Sequence, residues 1–385
     1  MLNANKFKFI FKYLFFIVIF FSLISCDNTS SKITPKVSYP EIEEKDTVFF
    51  HPPFVDTFPE IKYKKIEFKS QLAKKRFFDS ITKLSSIAHT ILSTLNRKEW
   101  SFILNSKEIL VPEVFTENRL AYSIFPTHYE GARNIPKLII VSARYQALAC
   151  YEYGNLVKFA PVNSGKEKTQ TYPGRYALTF RQRTRLSSLD STWVMHYYYN
   201  FHPEAGMALH QFTMPGYPAS HSCLRMLESD AAWIYNWGEG YKKDTNGKII
   251  RLSGTPLIIL DHYPFGSEYH PWMQITSNKS IKLELPPDPM AVDEPLIPII
   301  QIPEESRGSL INKHRYVIAE DSLRKLGIIR KGIQITPSVN FNKLRRLKKE
   351  QEAKQKQREQ QLQEQLKLLE QGPNTKSTEN EGPPN

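Results

Sequence analysis

Cysteine is scarce in this chain. Only Cys26, Cys150 and Cys223 occur in 385 residues, too few for a disulfide framework, so each thiol needs its own account. No His-Glu-x-x-His is present, and His196, His202, His210 and Cys223 lack the i, i+3 or i+4 spacing of zinc helices. That spacing argues against a metal site, and neither metal nor cofactor is expected. No nucleic-acid motif accompanies the basic charge, so nucleic acid is not expected as a partner. Long apolar runs are also missing. The run over 13–24 is too short for a comfortable membrane span. The stretch 343–371 is nearly all Lys, Arg, Glu and Gln, and Leu344, Leu347, Leu362, Leu366 and Leu369 make no unbroken heptad seam. It reads as a solvated charged helix, with room for a protein partner, rather than a coiled coil.

What is present suits a globular body: 41% hydrophobic and 12% aromatic residues, and length for two or three domains. The net charge of +13 would fall to +10 if a leader carrying Lys6, Lys8 and Lys12 were removed. A basic surface attracts polyanions, and cell wall or membrane is the expected kind. Residues 1–25 have the basic then apolar order of a secretory signal. The leader ends in Leu23-Ile-Ser-Cys26, which resembles a bacterial lipobox. That resemblance implies cleavage before Cys26, lipidation of its thiol and an extracytoplasmic (periplasmic), membrane-anchored lipoprotein. An uncleaved anchor helix is the competing reading.

Residues 26–66 are polar and proline-punctuated, a membrane tether. Region 67–136 is a helical lead-in. Phe77, Ile81, Leu84, Ala88, Ile91 and Leu95 recur at helical spacing, predicting one helix from about Ser70 to Asn96. Ile109-Leu-Val-Pro112 then reads as extended. With Leu95-Asn96 it resembles the cadence of sugar-binding LysM modules, but a lead-in packed on the next domain is the reading kept.

From 137 to 262 the pattern changes to short strands: 138–141, 147–153, 156–162, 174–180, 193–199 and 255–260. Tyr153-Gly-Asn155 forms a hairpin turn, and Tyr176, Leu178 and Phe180 are placed on one face. A helix over 229–237 takes Ser229 as its cap. The domain is therefore mainly β. Residues 263–340 are a proline-rich connection with a small strand–helix–strand appendage over 316–337, its helix stopped at Gly327. A charged helix over 341–371 and a disordered tail over 372–385 follow.

Within the strand-rich region, Gly206-Met-Ala-Leu-His210 precedes Ser220-His-Ser-Cys-Leu-Arg-Met226. A cysteine is a useful nucleophile as its thiolate, and a neighbouring imidazole lowers its pKa. Cys223 is thus the candidate nucleophile and His210 the general base and acid. On an extended segment His221 and Arg225 share the side of Cys223. His221 supports the site, and the Arg225 fork suits a carboxylate. Backbone N–H groups near Ser222 and Cys223 are candidate oxyanion donors. Cys150, in an apolar strand without basic neighbours, is a core thiol.

Residues 137–262 resemble the catalytic domain of bacterial L,D-transpeptidases. The match is carried, in order, by Val162-Asn-Ser-Gly165, Thr171-Tyr-Pro-Gly174, Ala208-Leu-His210, Ser220-His-Ser-Cys-Leu-Arg225, a following helix and a final strand. The resemblance implies a β-sandwich-like fold flanked here by the helical lead-in and the C-terminal charged helix. It implies peptidoglycan stem peptides as partners and cross-linking through a cysteine thioester, with release of terminal D-alanine. Ser220 and Ser222 fall within the signature as supporting residues. Serine at 222 and Gln211 replace glycines usual in the family. An L,D-carboxypeptidase or hydrolase using water, and a non-catalytic wall-binding lipoprotein, remain as alternatives.

Overall fold

The computed structural model describes residues 58–84, 87–187 and 189–370. The expected leader, Cys26, most of the tether and the 372–385 tail lie outside the described residues. Among the described residues no helix is long and apolar enough to cross a membrane.

The lead-in runs β1 (Tyr63–Glu67), α1 (Gln71–Leu84), α2 (Ala88–Asn96), α3 (Trp100–Asn105) and β2 (Glu108–Pro112). β1 pairs antiparallel with β2, Tyr63 opposite Pro112. A tether reaching residue 66 is therefore corrected: 63–67 form a strand, and Ile61 and Tyr63 are buried in the body. The single helix expected over 70–96 is two helices. Ser70 does mark the start, its Oγ accepting from the Ala73 N–H at 3.1 Å. The helical spacing runs on across the two because both bury the same kind of apolar face, with Ile81, Ala88, Ile91 and Leu95 all inside.

The strand-rich region holds β3 (Leu138–Ser142), β4 (Ala147–Glu152), β5 (Asn155–Pro161), β6 (Gly174–Ala177), β7 (Arg181–Leu186), β8 (Val194–His202), β9 (Met207–Gln211) and β10 (Leu224–Met226). Helix α4 (Glu228–Trp237) and β11 (Pro256–Ile259) complete it. One sheet is ordered β5-β4-β3-β11-β6 and another β10-β9-β8-β7. Strand alternation gives the five-stranded sheet two buried faces. Ile139, Val141, Leu148 and Cys150 enter one core; Leu138, Ile140, Ala149 and Tyr151 enter the other, against the lead-in. The second sheet fills the first core with Tyr199, Phe201, Met207, Leu209, Leu224 and Met226. The domain is thus the expected sandwich-like β fold, with each fully buried aliphatic side chain contributing about 1.5–3 kcal/mol. Tyr153 and Gly154 take φ of 46° and 79°, the left-handed pair that a tight hairpin requires.

Some expectations change. β6 stops at Ala177, so Phe180 leaves the face of Tyr176 and Leu178 and joins a separate cluster with Met195, Tyr198 and Cys223. Helix α4 starts at Glu228 with Leu227 at its cap, not Ser229. Its first turn instead carries Asp230, fully buried, which takes two 2.6 Å bonds from Arg119 and one at 2.9 Å from Lys158. The cations hold this carboxyl below its usual range despite burial. That group ties the lead-in to the strand-rich region. After β11 come α5 (Lys313–Val317), α6 (Ala319–Lys325) and α7 (Phe341–Glu370). The appendage has helices but no strands among the described residues. Its 328–337 segment is held by single bonds such as Thr336 N–H to Lys168 O at 2.9 Å and by buried Ile329 and Ile335. Gly327 takes φ 72° where α6 stops.

Candidate active site

Two short parallel strands organise the site. Leu224 lies opposite Leu209 and Arg225 opposite His210. Because Met207, Leu209, Leu224 and Met226 fill the core, alternation sends Ala208 and His210, with Cys223 and Arg225, to the other face. That face lines a cavity of about 420 Å³ bordered by His210, His221, Cys223 and Arg225. β8 supplies Met195, Tyr198 and Asn200 to the same cavity. It does so through a bulge between His196 and Tyr199, where Tyr197 has φ 52° and the alternation shifts by one residue.

The loop between base and nucleophile is anchored from outside. Fully buried Asn163 exchanges backbone bonds with Arg225, 3.0 Å each way. Its Nδ2 donates to Arg97 O at 3.0 Å and its Oδ1 accepts from the Gly216 N–H at 3.1 Å. Glu99 N–H donates to Met214 O at 3.0 Å. The lead-in therefore fixes the 211–219 loop, and through it the spacing of His210 and Cys223. Asn163 and Thr171 were visible as parts of motifs, but their roles were not.

The Cys223 turn is the sharpest departure from ordinary backbone. Ser222 sits at φ 77°, a left-handed position that favours glycine. Serine holds it with its Oγ donating to His221 O and with Thr171 Oγ1 donating to Ser222 O at 3.0 Å. Ser220 Oγ donates to Cys223 O at 2.5 Å, so Ser220 and Ser222 brace the turn from both ends. Among the described residues the Ser222 and Cys223 N–H groups meet no protein acceptor, which leaves them for a developing oxyanion.

His210 is buried. Its Nδ1 donates to Gln211 O at 2.9 Å, which leaves Nε2 unprotonated and able to accept. Burial lowers its pKa to about 4, against the pull of the Gln211 carbonyl. The Cys223 thiol donates to Gly206 O at 3.8 Å, and no hydrogen bond joins it to His210. Burial pushes the thiol up to about 11, with Ala208 backbone and the Arg225 charge pulling it back. Both shifts favour the neutral thiol and the neutral imidazole over an ion pair.

His221 accepts from Lys166 Nζ at 3.2 Å and packs on Trp193 at 5.0 Å between ring centroids. Burial, then Lys166, lower it to about 4, so it is a neutral part of the wall. Arg225 lies 4.7 Å over the Phe212 ring and donates to Thr213 O at 3.3 Å. No carboxylate pairs with it among the described residues, so its charge remains available to an anionic ligand. The zinc candidates do not converge. His202 meets Tyr316 OH at 3.2 Å, His196 meets Thr184 Oγ1 at 3.1 Å, and no metal-holding group of three occurs among the described residues.

A search of curated proteins gave no match. Among solved structures, an L,D-transpeptidase (Yku) from Stackebrandtia nassauensis is 23% identical, covering 38% of this chain and 64% of that one, with a TM-score of 0.29. One from Xylanimonas cellulosilytica is 23% identical over 32% and 59%, TM-score 0.25. L,D-transpeptidase 1 from Mycobacterium tuberculosis is 16% identical over 32% and 62%, TM-score 0.25. The chain thus spans less than two thirds of the length of these proteins. Residues 136–259, which hold His210, Cys223 and Arg225, match the family model of YkuD, the L,D-transpeptidase catalytic domain.

Proposed function

We propose that this protein is a cysteine-dependent L,D-transpeptidase that cross-links peptidoglycan stem peptides. One observation carries the reading: the parallel β9–β10 pair turns Cys223, Arg225 and His210 toward one open cavity inside the matched stretch. The donor stem's terminal carboxylate pairs with Arg225. The Cys223 sulfur attacks the carbonyl carbon of the residue before terminal D-alanine, and its proton passes to His210 Nε2. The Ser222 and Cys223 N–H groups hold the oxyanion. When the tetrahedral species collapses, the C–N bond breaks, and the imidazolium returns the proton to the departing D-alanine amine. A thioester remains on Cys223, and an amine from a second stem displaces the sulfur to form the cross-link.

In the same proposal Cys26 carries a lipid that anchors the protein to a membrane outside the cytoplasm, and α7 is open to a protein partner. Incubating the purified protein and its Cys223→Ala variant with tetrapeptide muropeptides tests the reaction. Dimers with released D-alanine, from the first sample alone, support cross-linking. Tripeptides alone assign water as the acceptor. Unchanged muropeptides in both samples leave a non-catalytic wall binder.

A further inference from the structure

The N-terminal end of α7 is bonded to the wall of the cavity. Arg345 donates to both oxygens of Asp190, at 3.2 and 2.5 Å, and that carboxylate is only 12% exposed. Asn342 N–H donates to Leu189 O at 2.9 Å. Its Oδ1 accepts from the Ser191 N–H at 2.9 Å and its Nδ2 donates to Ser187 O at 3.4 Å. The Phe341 ring lies 5.9 Å from Trp193, which in turn packs on His221. Leu189, Trp193 and His221 all line the catalytic cavity. Behind them a hollow of about 60 Å³, bordered by Ser222, His221 and Phe341, has room for only a few water molecules. The anchoring residues 341–345 fall outside the matched 136–259 stretch.

We propose that Phe341, Asn342 and Arg345 form a latch that fixes residues 189–193 against the His221 side of the cavity, so that the acyl group of the acyl-enzyme passes to a positioned amine in preference to water. The inference rests on the proposed transpeptidase reading and deepens it, since it decides the acceptor. An amine acceptor arrives as ammonium and releases one proton to solvent. Its nitrogen then attacks the thioester carbonyl, C–N forms and C–S breaks, and the second proton passes through His210 to the sulfur. Water attacking the same carbon gives a carboxylic acid and the thiol instead. The two paths share the acyl-enzyme and differ in which nucleophile reaches it. A fixed wall holds the amine in position for attack and so favours it over water.

The test compares the full-length protein with its Asn342→Ala/Arg345→Ala double variant on tetrapeptide muropeptides. Three quantities are read: Cys223 acylation, the tripeptide-to-dimer product ratio, and the alkylation rate of Cys223 by iodoacetamide. The double variant removes the Arg345–Asp190 pair, the Asn342 bonds to Ser191 and Ser187, and the bond between Arg345 and Asn342. The latch predicts near-unchanged acylation, a product ratio raised roughly tenfold toward hydrolysis, and faster alkylation. A purely structural role would lower all products together and leave the ratio in place. An unchanged ratio with normal acylation overturns the latch alone. A wild-type protein that acylates but yields only tripeptides also overturns it. No acylation of the wild type overturns the transpeptidase reading itself. Should the double variant lose its folding transition, Asp190→Asn is read in its place. That single change keeps the side-chain volume, and the ratio is then expected to rise about threefold, with no rise again counting against the latch.

Discussion

Replacing Asn163 by alanine tests whether the lead-in fixes the catalytic loop. The side chain is completely buried and joins three segments: Arg97 of the lead-in, Gly216 of the loop and, through its own backbone, Arg225. Alanine leaves the Arg97 carbonyl and the Gly216 N–H without this partner, in surroundings closed to water. Each stranded group costs about 1–3 kcal/mol, so the sum is ~2–6 kcal/mol and about 3 is expected. Urea denaturation with an unchanged slope measures it. Loss of the Gly216 tether also frees the 211–219 loop, so Cys223 acylation should slow by more than the unfolded fraction accounts for. Asn163→Asp keeps the acceptor for Gly216 but turns a carboxylate oxygen toward the Arg97 and Val162 carbonyls, so it should recover little of the acylation rate. A loss below ~1 kcal/mol, together with normal acylation, would refute the reasoning, because that outcome requires the two orphaned groups to find other partners.

Three further outcomes are expected. Ser222→Gly removes a side chain from a left-handed position, offset by a freer unfolded chain; thermal melting should show a net gain of roughly 0.5 kcal/mol, and a clear loss would mean that the Ser222 hydroxyl contributes more than the strain removes. His202, His210 and His221 each sit near 4 in the fold, below their unfolded value. Their stabilisation is therefore complete above pH ~6.5 and lost as pH falls toward 4. Between pH 7 and 5 this is ~2 kcal/mol for each of His202 and His210 and less for half-exposed His221, and a flat denaturation midpoint over that range would contradict the burial of these rings. Iodoacetamide alkylation of Cys223 should be slow at pH 7 and keep rising toward pH 11; a plateau near pH 6 would instead show a resting thiolate pair.

The sequence made the strands legible wherever alternation faced one core, as in the opposed sets of 138–141 and 147–151. It also placed Cys223, His210 and Arg225 together, since their spacing fits two short strands read at period two. What it hid depended on distant chain. The bulge at Tyr197, which swings Tyr198 into the cavity, leaves no mark on local composition. Nor does the pairing of 63–67 with 108–112, because β1 carries lysines at its exposed positions and looks like polar linker. The left-handed φ at Ser222 was not legible, because serine itself gives no sign of it. The upward shift of the thiol and the downward shift of the imidazole come with burial, which spacing does not show. The task of residues 341–345 was invisible because their partners, Leu189 to Trp193, lie some 150 positions earlier.

Intact-protein mass spectrometry after brief incubation with a tetrapeptide stem tests the central claim most directly. The account predicts a mass gain equal to the stem without its terminal D-alanine, mapped to Cys223 and cleaved by hydroxylamine as a thioester, with one D-alanine released per adduct and none from Cys223→Ala. An unmodified cysteine while product accumulates, or equal turnover by the alanine variant, would contradict it.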